Sequence, residues 1–440
     1  PNTTEIDLHF AQDFFKQSET FQNIEMRDNK MDDLDMLETL MLTFEPFNRQ
    51  LFDYQPIKDL MASRGRVQFD VVIVEYLMNY PLFALADWFD APLVGITSVD
   101  TMNQNHEDLG NSANSIQNPD MIFPFIENLS FSERYRALRY QLWRKFYYAS
   151  KFNSISDKLI KEYFPGLNVT AKELKGKAEL LITNTHPVLG YLRPILPTTV
   201  QIGFMHIKPP KPIADEALKN YLDNSDKPII YMSLGSNMKS SDFSLKNVEI
   251  FLNVFENLPF NFLWKWEADE LKNKPDNVFI QKWLPQSDVL AHPKIKMFIT
   301  QGGLQSLEEA IDRMVPLIVI PFMVDQHGNA ARVKKLKIGV SLELNTLNER
   351  KLADAIDQVA NGEFKANIVK LREIVNDEPM KPIDKAVWWV EYCIRHKGMK
   401  HLDYSGKYVP FYQKYFIDFM IHGFVSVSYT HLRAHETGRN

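Results

Sequence analysis

The stretch 282–326 reads KWLPQSDVLAHPKIKMFITQGGLQSLEEAIDRMVPLIVIPFMVDQ, and its arrangement decides the fold. Two short apolar runs, KMFIT and PLIVIPF, are rich in β-branched and aromatic residues, and the segment between them carries apolar residues at helical spacing. Strand, helix, strand at this spacing is a βαβ unit, which places the two strands parallel. Ligands of such sheets bind beyond the carboxyl ends of the strands. The residues that follow the two runs therefore matter most: Gln301-Gly302-Gly303 after the first, Asp325-Gln326 after the second.

The same alternation extends outward over most of the chain. FDVVIVEY, PLVGITSV, ELLITNT and TVQIGFM are expected strands of a first half; PIIYMSLGS, NFLWKW, NVFIQKW, KMFIT, PLIVIPF and GVSLEL are those of a second. Both halves read as doubly wound α/β units. Between them KPPKP can continue neither a helix nor a central strand, because proline lacks the donor and fixes φ. The expected division is thus a first domain over 1–207, a linker over 208–214 and a second domain over 215–380. A helical region from 381 to 423 is expected to cross back to the first domain. Residues 131–164 carry aromatics at spacings of three and four, which reads as packing or as an apolar wall of a cleft.

Composition narrows the class of function. At 440 residues with 45% hydrophobic and 24% charged residues, the chain is long enough for two globular domains. A net charge of −6 without blocks of like charge gives no electrostatic ground for a nucleic-acid partner. Cys393 is the single cysteine, so an intrachain disulfide, a CxxC redox pair and a Cys-based zinc site are all excluded. N-x-S/T triplets at Asn2, Asn128 and Asn168 are compatible with a secretory lumen. YFIDFMIHGFVSV, broken by Asp418 and His422, is shorter than the ~20 apolar residues that span a bilayer and reads as the approach to a membrane helix. The tail over 424–440 reads as non-native, with no amphipathic period.

At the strand ends the chemistry is more specific. Gly302 and Gly303 permit close backbone approach to a ligand, and Ser306 with Glu309 has the spacing of a capping box at a helix start, where free amides favour an anion. SLGSN, at 233–237, repeats the strand-then-glycine arrangement, so two loops are expected to face one diphosphate. Trp283 sits at a strand end where a planar base can stack, and Asp325 with Gln326 suits vicinal hydroxyls. Neither G-x-G-x-x-G after a strand nor a P-loop occurs, which counts against dinucleotide and P-loop readings.

In order and spacing, Trp283, Gln286, His292, Gln301, Gly303, Ser306, Glu309, Asp325 and Gln326 resemble the donor-binding signature of the UDP-glycosyltransferase family, and FITQGGLQS is most similar to its arthropod branch. The resemblance implies a GT-B fold: α/β, two Rossmann-like doubly wound domains facing a cleft. It also implies an enzyme that needs no cofactor or metal, UDP-sugar being a co-substrate. Trp283 would stack on uracil beside Gln286, and Glu309 would accept from the ribose hydroxyls. Ser236, Gly303, Gln305 and Ser306 would hold the diphosphate; Asp325 and Gln326 would bind the sugar. Gln301 stands where most members have His, and can donate a hydrogen bond to phosphate but carries no charge.

The family's reaction is displacement at the anomeric carbon with inversion, the acceptor hydroxyl being deprotonated by a His that an Asp orients. Glu75, at the end of FDVVIVEY, aligns with that Asp. His9 lies too late in the pattern to be the base and His106 lies in the loop NQNHEDLGN on the acceptor side, so the His partner is expected upstream of this chain. The resulting expectation is transfer of a hexosyl group, glucose before glucuronate, to a small lipophilic acceptor hydroxyl in detoxification. The full-length form is expected to be a glycoprotein at the lumenal face of the endoplasmic reticulum, anchored by a carboxy-terminal membrane helix and able to form a homodimer. The alternative is a catalytically silent relative that only binds UDP-sugar.

Overall fold

The computed structural model of the protein describes residues 3–17, 33–190, 192–236 and 238–437; Asn2 and Asn237 lie outside them. Each of the ten apolar runs contains one strand. The first sheet consists of β1 (Val72–Glu75), β2 (Leu93–Thr97), β3 (Leu180–Thr183) and β4 (Thr199–Gln201), paired in that order. The second comprises β5 (Ile229–Ser233), β6 (Asn261–Lys265), β7 (Val278–Gln281), β8 (Ile295–Thr300), β9 (Leu317–Val319) and β10 (Gly339–Ser341). Its order is β10-β9-β8-β5-β6-β7, and every pairing in both sheets is parallel.

Strands buried on both faces need apolar side chains at every position, which is why these runs are continuous rather than alternating. β5 shows it directly: all five residues are buried, with Ile229 and Tyr231 packed on one face and Ile230 and Met232 on the other. Helices Glu216–Asn224 and Leu304–Asp312 cover the first face through Leu218, Leu222, Leu307 and Ile311. Helices Leu245–Glu256 and Glu349–Asn361 cover the second through Phe251, Phe255, Leu352 and Ile356. At the centre the rings of Tyr231 on β5 and Phe298 on β8 stack with centroids 4.8 Å apart.

The chain leaves β4 and reaches helix Glu216–Asn224 through a stretch with no regular structure, held along the second sheet's domain. The Lys211 N–H donates to Asp288 Oδ1 at 2.6 Å and Arg313 Nη2 donates to the Lys208 carbonyl at 2.6 Å. Asp215 then caps the helix by accepting from the Leu218 N–H at 2.8 Å. Helix Pro382–Arg395 returns to the first sheet, where Ala386 and the free Cys393 pack against Val94, Leu180, Ile182 and Val200.

One expectation changes. The aromatic stretch 131–164 is helix Phe131–Leu142, a π-helical turn Trp143–Tyr148 and helix Ala149–Tyr163, and it is not uniformly packing. Tyr140, Tyr148 and Phe152 are buried, whereas Phe131 is 78% and Phe146 70% exposed, because aromatics at both three and four residue spacings populate more than the one face that meets the sheet. Residues 424–437 form part of helix Ile417–Thr437. Among the described residues no helix is long and apolar enough to cross a membrane.

Replacing a large buried side chain at the sheet's centre removes contacts that the surrounding strands cannot close over. Phe298→Ala is therefore expected to cost about 3–5 kcal/mol in urea unfolding; a loss under about 1 kcal/mol would show that the β5–β8 stack carries little of the second domain's stability.

Candidate functional site

In the second sheet β5 lies beside β8, and the chain leaves β5 toward β6 and β7 but leaves β8 toward β9 and β10. That reversal opens a crevice at the carboxyl ends of these two strands. Both loops there are glycine turns. Gly235, with φ +79°, approaches Gln301 so closely that a Cβ would lie 2.5 Å from the carboxamide nitrogen. Gly302, with φ +87°, leaves a Cβ no room against Val319, and its carbonyl accepts from Asn329 Nδ2 at 2.9 Å. Ser236 lies exposed in the first turn.

Helix Leu304–Asp312 starts at the second turn with Gly303 as its N-cap and no side-chain cap. The Ser306–Glu309 capping box is thus corrected. A helix that begins at Gly303 places Ser306 in its first turn rather than before it, and its hydroxyl accepts instead from Gln286 Nε2 at 2.9 Å. The same Gln286 nitrogen donates to Glu309 Oε2 at 2.6 Å, while Tyr231 Oη donates to Gln286 Oε1 at 3.4 Å. Gln286, Ser306 and Glu309 are therefore one cluster, because i and i+3 positions share a helix face. Burial raises the Glu309 carboxyl above the usual range, and the bond from Gln286 works against that shift. The N-cap Gly303 supplies no side-chain bond to the helix start, where the Leu304 N–H meets the Asp325 carboxylate; the remaining first-turn amides suit a diphosphate.

Trp283 stands at the mouth, 67% exposed, with Lys265 Nζ 5.5 Å from its ring centroid. Lys265 also donates to the Gly235 carbonyl at 2.8 Å and to Glu267 at 2.9 Å, tying the first glycine turn to the Trp283 side. It ends β6, so the rule that picked out residues at strand ends also finds it. Asp325 accepts from Asn329 Nδ2 at 2.8 Å, and burial raises its pKa. Gln326 is buried, and its Oε1 accepts from the Phe322 and Met323 N–H groups at 2.8 and 3.1 Å. Its carboxamide oxygen is committed to its own loop, which leaves the nitrogen for a ligand. Gln301 is buried with Oε1 unpartnered.

His292 is not part of this group. It precedes β8, at the amino end of a parallel strand and so at the opposite edge of the sheet, where Nε2 meets Asp223 Oδ1 at 3.2 Å. Gln305 faces the other domain: its Nε2 donates to the Ser98 carbonyl at 2.8 Å. Ser98 in turn donates through its hydroxyl to Glu75 Oε1 at 3.3 Å, so Glu75 lies at the carboxyl edge of the first sheet, facing the donor helix. His106 is on helix Asn103–Asp108, not in a loop, and buried; Asp100 Oδ1 lies 3.0 Å from Nε2 and Asn111 Nδ2 3.3 Å from Nδ1. Burial and the Arg193 guanidinium lower its pKa, Asp100 opposing them. Both ring nitrogens are occupied by protein. His9 pairs with Asp7 at 3.4 Å, and none of the described histidines is bonded to Glu75.

Beside Glu309, Glu308 is fully buried, with Oε1 accepting from the Phe204 N–H at 3.0 Å and Oε2 from Asn184 Nδ2 at 3.1 Å. Burial outweighs these donors and raises its pKa to about 7. A cavity of about 1540 Å³ lies elsewhere, at the amino ends of β2, β3 and β4 beneath residues 397–410, and is separate from the crevice. Among the described residues no group of three or more His, Cys, Asp or Glu could hold a metal ion.

A two-domain α/β molecule with its anion-ready helix at the switch point of the second sheet has the GT-B architecture of glycosyltransferases. Solved structures of that fold match at low identity: the calicheamicin glycosyltransferase CalG4 at TM-score 0.55 and 19% identity, over 83% of each chain, and the spinosyn forosaminyltransferase at TM-score 0.56 and 17%, over 84% of this chain and 85% of the other. The family model for UDP-glucoronosyl and UDP-glucosyl transferase matches residues 7–434, and the chain belongs to that family. It is 32% identical to an ecdysteroid UDP-glucosyltransferase of Spodoptera littoralis nuclear polyhedrosis virus, over 87% of this chain and 75% of the relative. A UDP-glycosyltransferase of Dactylopius coccus is 31% identical over 80% and 70%, and human UDP-glucuronosyltransferase 2B17 is 33% identical over 68% and 56%. The protein is a transferase that takes its sugar from a UDP-sugar co-substrate and needs no cofactor.

Two outcomes test this geometry. Trp283→Ala is expected to weaken UDP binding by about 1–3 kcal/mol, read by calorimetry, with the exposed position leaving the fold unchanged. The raised folded-state pKa of Glu308 makes its stabilising contribution complete below the ordinary Glu value and lost as pH rises through about 7. Wild type should accordingly lose thermal stability relative to Glu308→Gln between about pH 4.5 and 7 and run parallel to it above that range; parallel pH profiles throughout would contradict the shift.

Proposed function

We propose that the protein transfers glucose from UDP-glucose, with inversion, to the hydroxyl of a small lipophilic acceptor. The observation that carries the reading is the Gln286–Ser306–Glu309 cluster beside the uncapped start of helix Leu304–Asp312. In this assignment uracil stacks on Trp283, and the ribose hydroxyls replace Gln286 as donors to Glu309. The diphosphate lies on the first-turn amides with Ser236 and the Gln301 amide nitrogen. Asp325 and the Gln326 nitrogen take the sugar hydroxyls. Two partners suited to neutral hydroxyls at the sugar end favour glucose over a uronate, and the glucosyltransferase names of the viral relatives point the same way.

Nucleophilic attack needs the acceptor hydroxyl deprotonated as the bond to UDP breaks. Glu75 orients a His general base, and the Ser98 hydroxyl fixes the carboxylate that does so. The exposed aromatics of helix Ile417–Thr437, Phe419 and Phe424 among them, support membrane attachment, which we place at the lumenal face of the endoplasmic reticulum. A second reading, binding of UDP-sugar without transfer, is favoured by one observation: Glu75 has no described histidine partner.

Initial rates with UDP-glucose and UDP-glucuronate on a simple phenolic acceptor separate these readings. Faster turnover of UDP-glucose is expected, and in a protein that carries the His base Glu75→Gln should lower the rate by up to about 10²–10⁴-fold, the contribution of the positioned base that Glu75 orients. Faster turnover of UDP-glucuronate would overturn the donor assignment, and a rate indifferent to Glu75→Gln would remove it from the mechanism.

A further inference from the structure

Helix Leu304–Asp312 has two working faces. Ser306 and Glu309 turn toward Gln286 and the donor crevice, whereas Gln305 and Glu308, again three residues apart, turn toward the first domain. Glu308 is fully buried there although it is a carboxylate, and a buried carboxylate is stable only where donors converge on it. Its donors come from outside the second sheet's domain: the Phe204 N–H, just after β4, and the side chain of Asn184, just after β3. Asn184 uses both hydrogens of its amide. One goes to Glu308 Oε2 at 3.1 Å and the other to the Ser98 carbonyl at 3.2 Å, the same carbonyl that accepts from Gln305 at 2.8 Å. The hydroxyl of Ser98 then reaches Glu75 at 3.3 Å. His206 Nδ1 lies 3.5 Å from Glu308 Oε2.

We propose that Glu308, acting through Asn184 and Ser98, is a positioning residue that keys the donor helix to the acceptor-side carboxylate Glu75 across the domain boundary. This rests on the transfer reading above and adds to it. A two-domain enzyme that binds donor on one domain and activates acceptor on the other must fix their separation, since a misplacement of about 1 Å costs about 10²-fold in rate. The path from Glu309, which would hold the ribose, to Glu75 runs through one peptide unit of the helix and three hydrogen bonds. Every donor and acceptor along it has a defined direction. A carboxamide at position 308 has one oxygen for two donors, so either the Phe204 N–H or the Asn184 amide meets an N–H group; reversing Asn184 to accept from it would withdraw the donor from the Ser98 carbonyl. Glu308→Gln therefore removes at least one of the two bonds that seat Glu308 on the first domain while conserving volume.

The test uses the full chain as wild type, Asn184→Ala, Glu308→Gln and the double variant. Backbone hydrogen exchange is read with and without UDP, and kcat, KM and UDP affinity are measured alongside. UDP is expected to slow exchange in the segments carrying Ser98 and Asn184 of the wild type, and Asn184→Ala is expected to abolish that slowing. In the same variant kcat should fall about tenfold or more while UDP affinity stays within about twofold, and the double variant should be no worse than the more damaged single one, as coupled residues require. Absence of slowing in the wild type overturns the proposal, as do a kcat within about twofold of wild type in Asn184→Ala, additive losses, or equal losses of rate and UDP affinity. If Asn184→Ala does not fold, the near-isosteric Glu308→Gln takes its place: the same loss of slowing and of kcat is expected, and the same results overturn the proposal. Wild-type slowing without any sugar transfer supports the junction and overturns the transfer reading instead.

Discussion

The adjacency of β5 and β8 is the constraint on which the site depends. Their side chains stack through Tyr231 and Phe298, and their chains depart in opposite directions, so no connection crosses the carboxyl ends of the two strands. The space left there is bounded by two turns that both use left-handed glycines, and the φ of +79° at Gly235 strains any residue with a Cβ in the first of them. A helix begun at such a turn exposes its first amides to the crevice. The crevice thus follows from topology and sterics before any side chain is assigned a role.

Around that opening the chain distributes its polar groups by helical geometry. One face of helix Leu304–Asp312 turns to Gln286 at the crevice and the other to the neighbouring domain, and two consecutive glutamates sit on different sides because successive helical residues point about 100° apart. The two carboxylates are also treated differently. Glu309 meets Gln286 beside the open crevice, where a ligand can displace the contact, while Glu308 is sealed among backbone and amide donors. One stays available for hydroxyl groups and the other is committed to architecture.

The first domain divides its polar groups in the same way. Asp100, His106, Asn111 and Arg193 form a buried network that anchors the segment after β2, with both imidazole nitrogens engaged. A histidine in such a network holds a loop in place. Glu75, by contrast, is exposed at the strand end and touched by one hydroxyl, the environment of a carboxylate that can still take a partner.

Much of this was legible in the sequence. The apolar runs marked the strands because the central ones, β3, β5 and β9 among them, are buried on both faces and have no polar position to hide. Residues immediately after strands marked the crevice because parallel sheets direct their carboxyl ends to one edge, and spacing in 282–326 was enough to point to Trp283, Gln286, Ser306 and Glu309. What the pattern could not specify was direction. A capping box and a helix one turn longer share the letters S-x-x-E, and only the start at Gly303 decided between them. His292 shares a motif with the donor residues yet lies at the far end of β8, since sequence order does not record which edge of a sheet a loop occupies. Asn184 and Ser98, 86 residues apart, meet at the ends of neighbouring strands of the first sheet, and Glu308, 124 residues beyond Asn184, joins them only when the two domains pack. Local propensity determined the elements and the loops at their ends; the meeting of those loops across the domain boundary was decided by tertiary packing, because hydrogen bonds between distant segments leave no periodic trace in the chain.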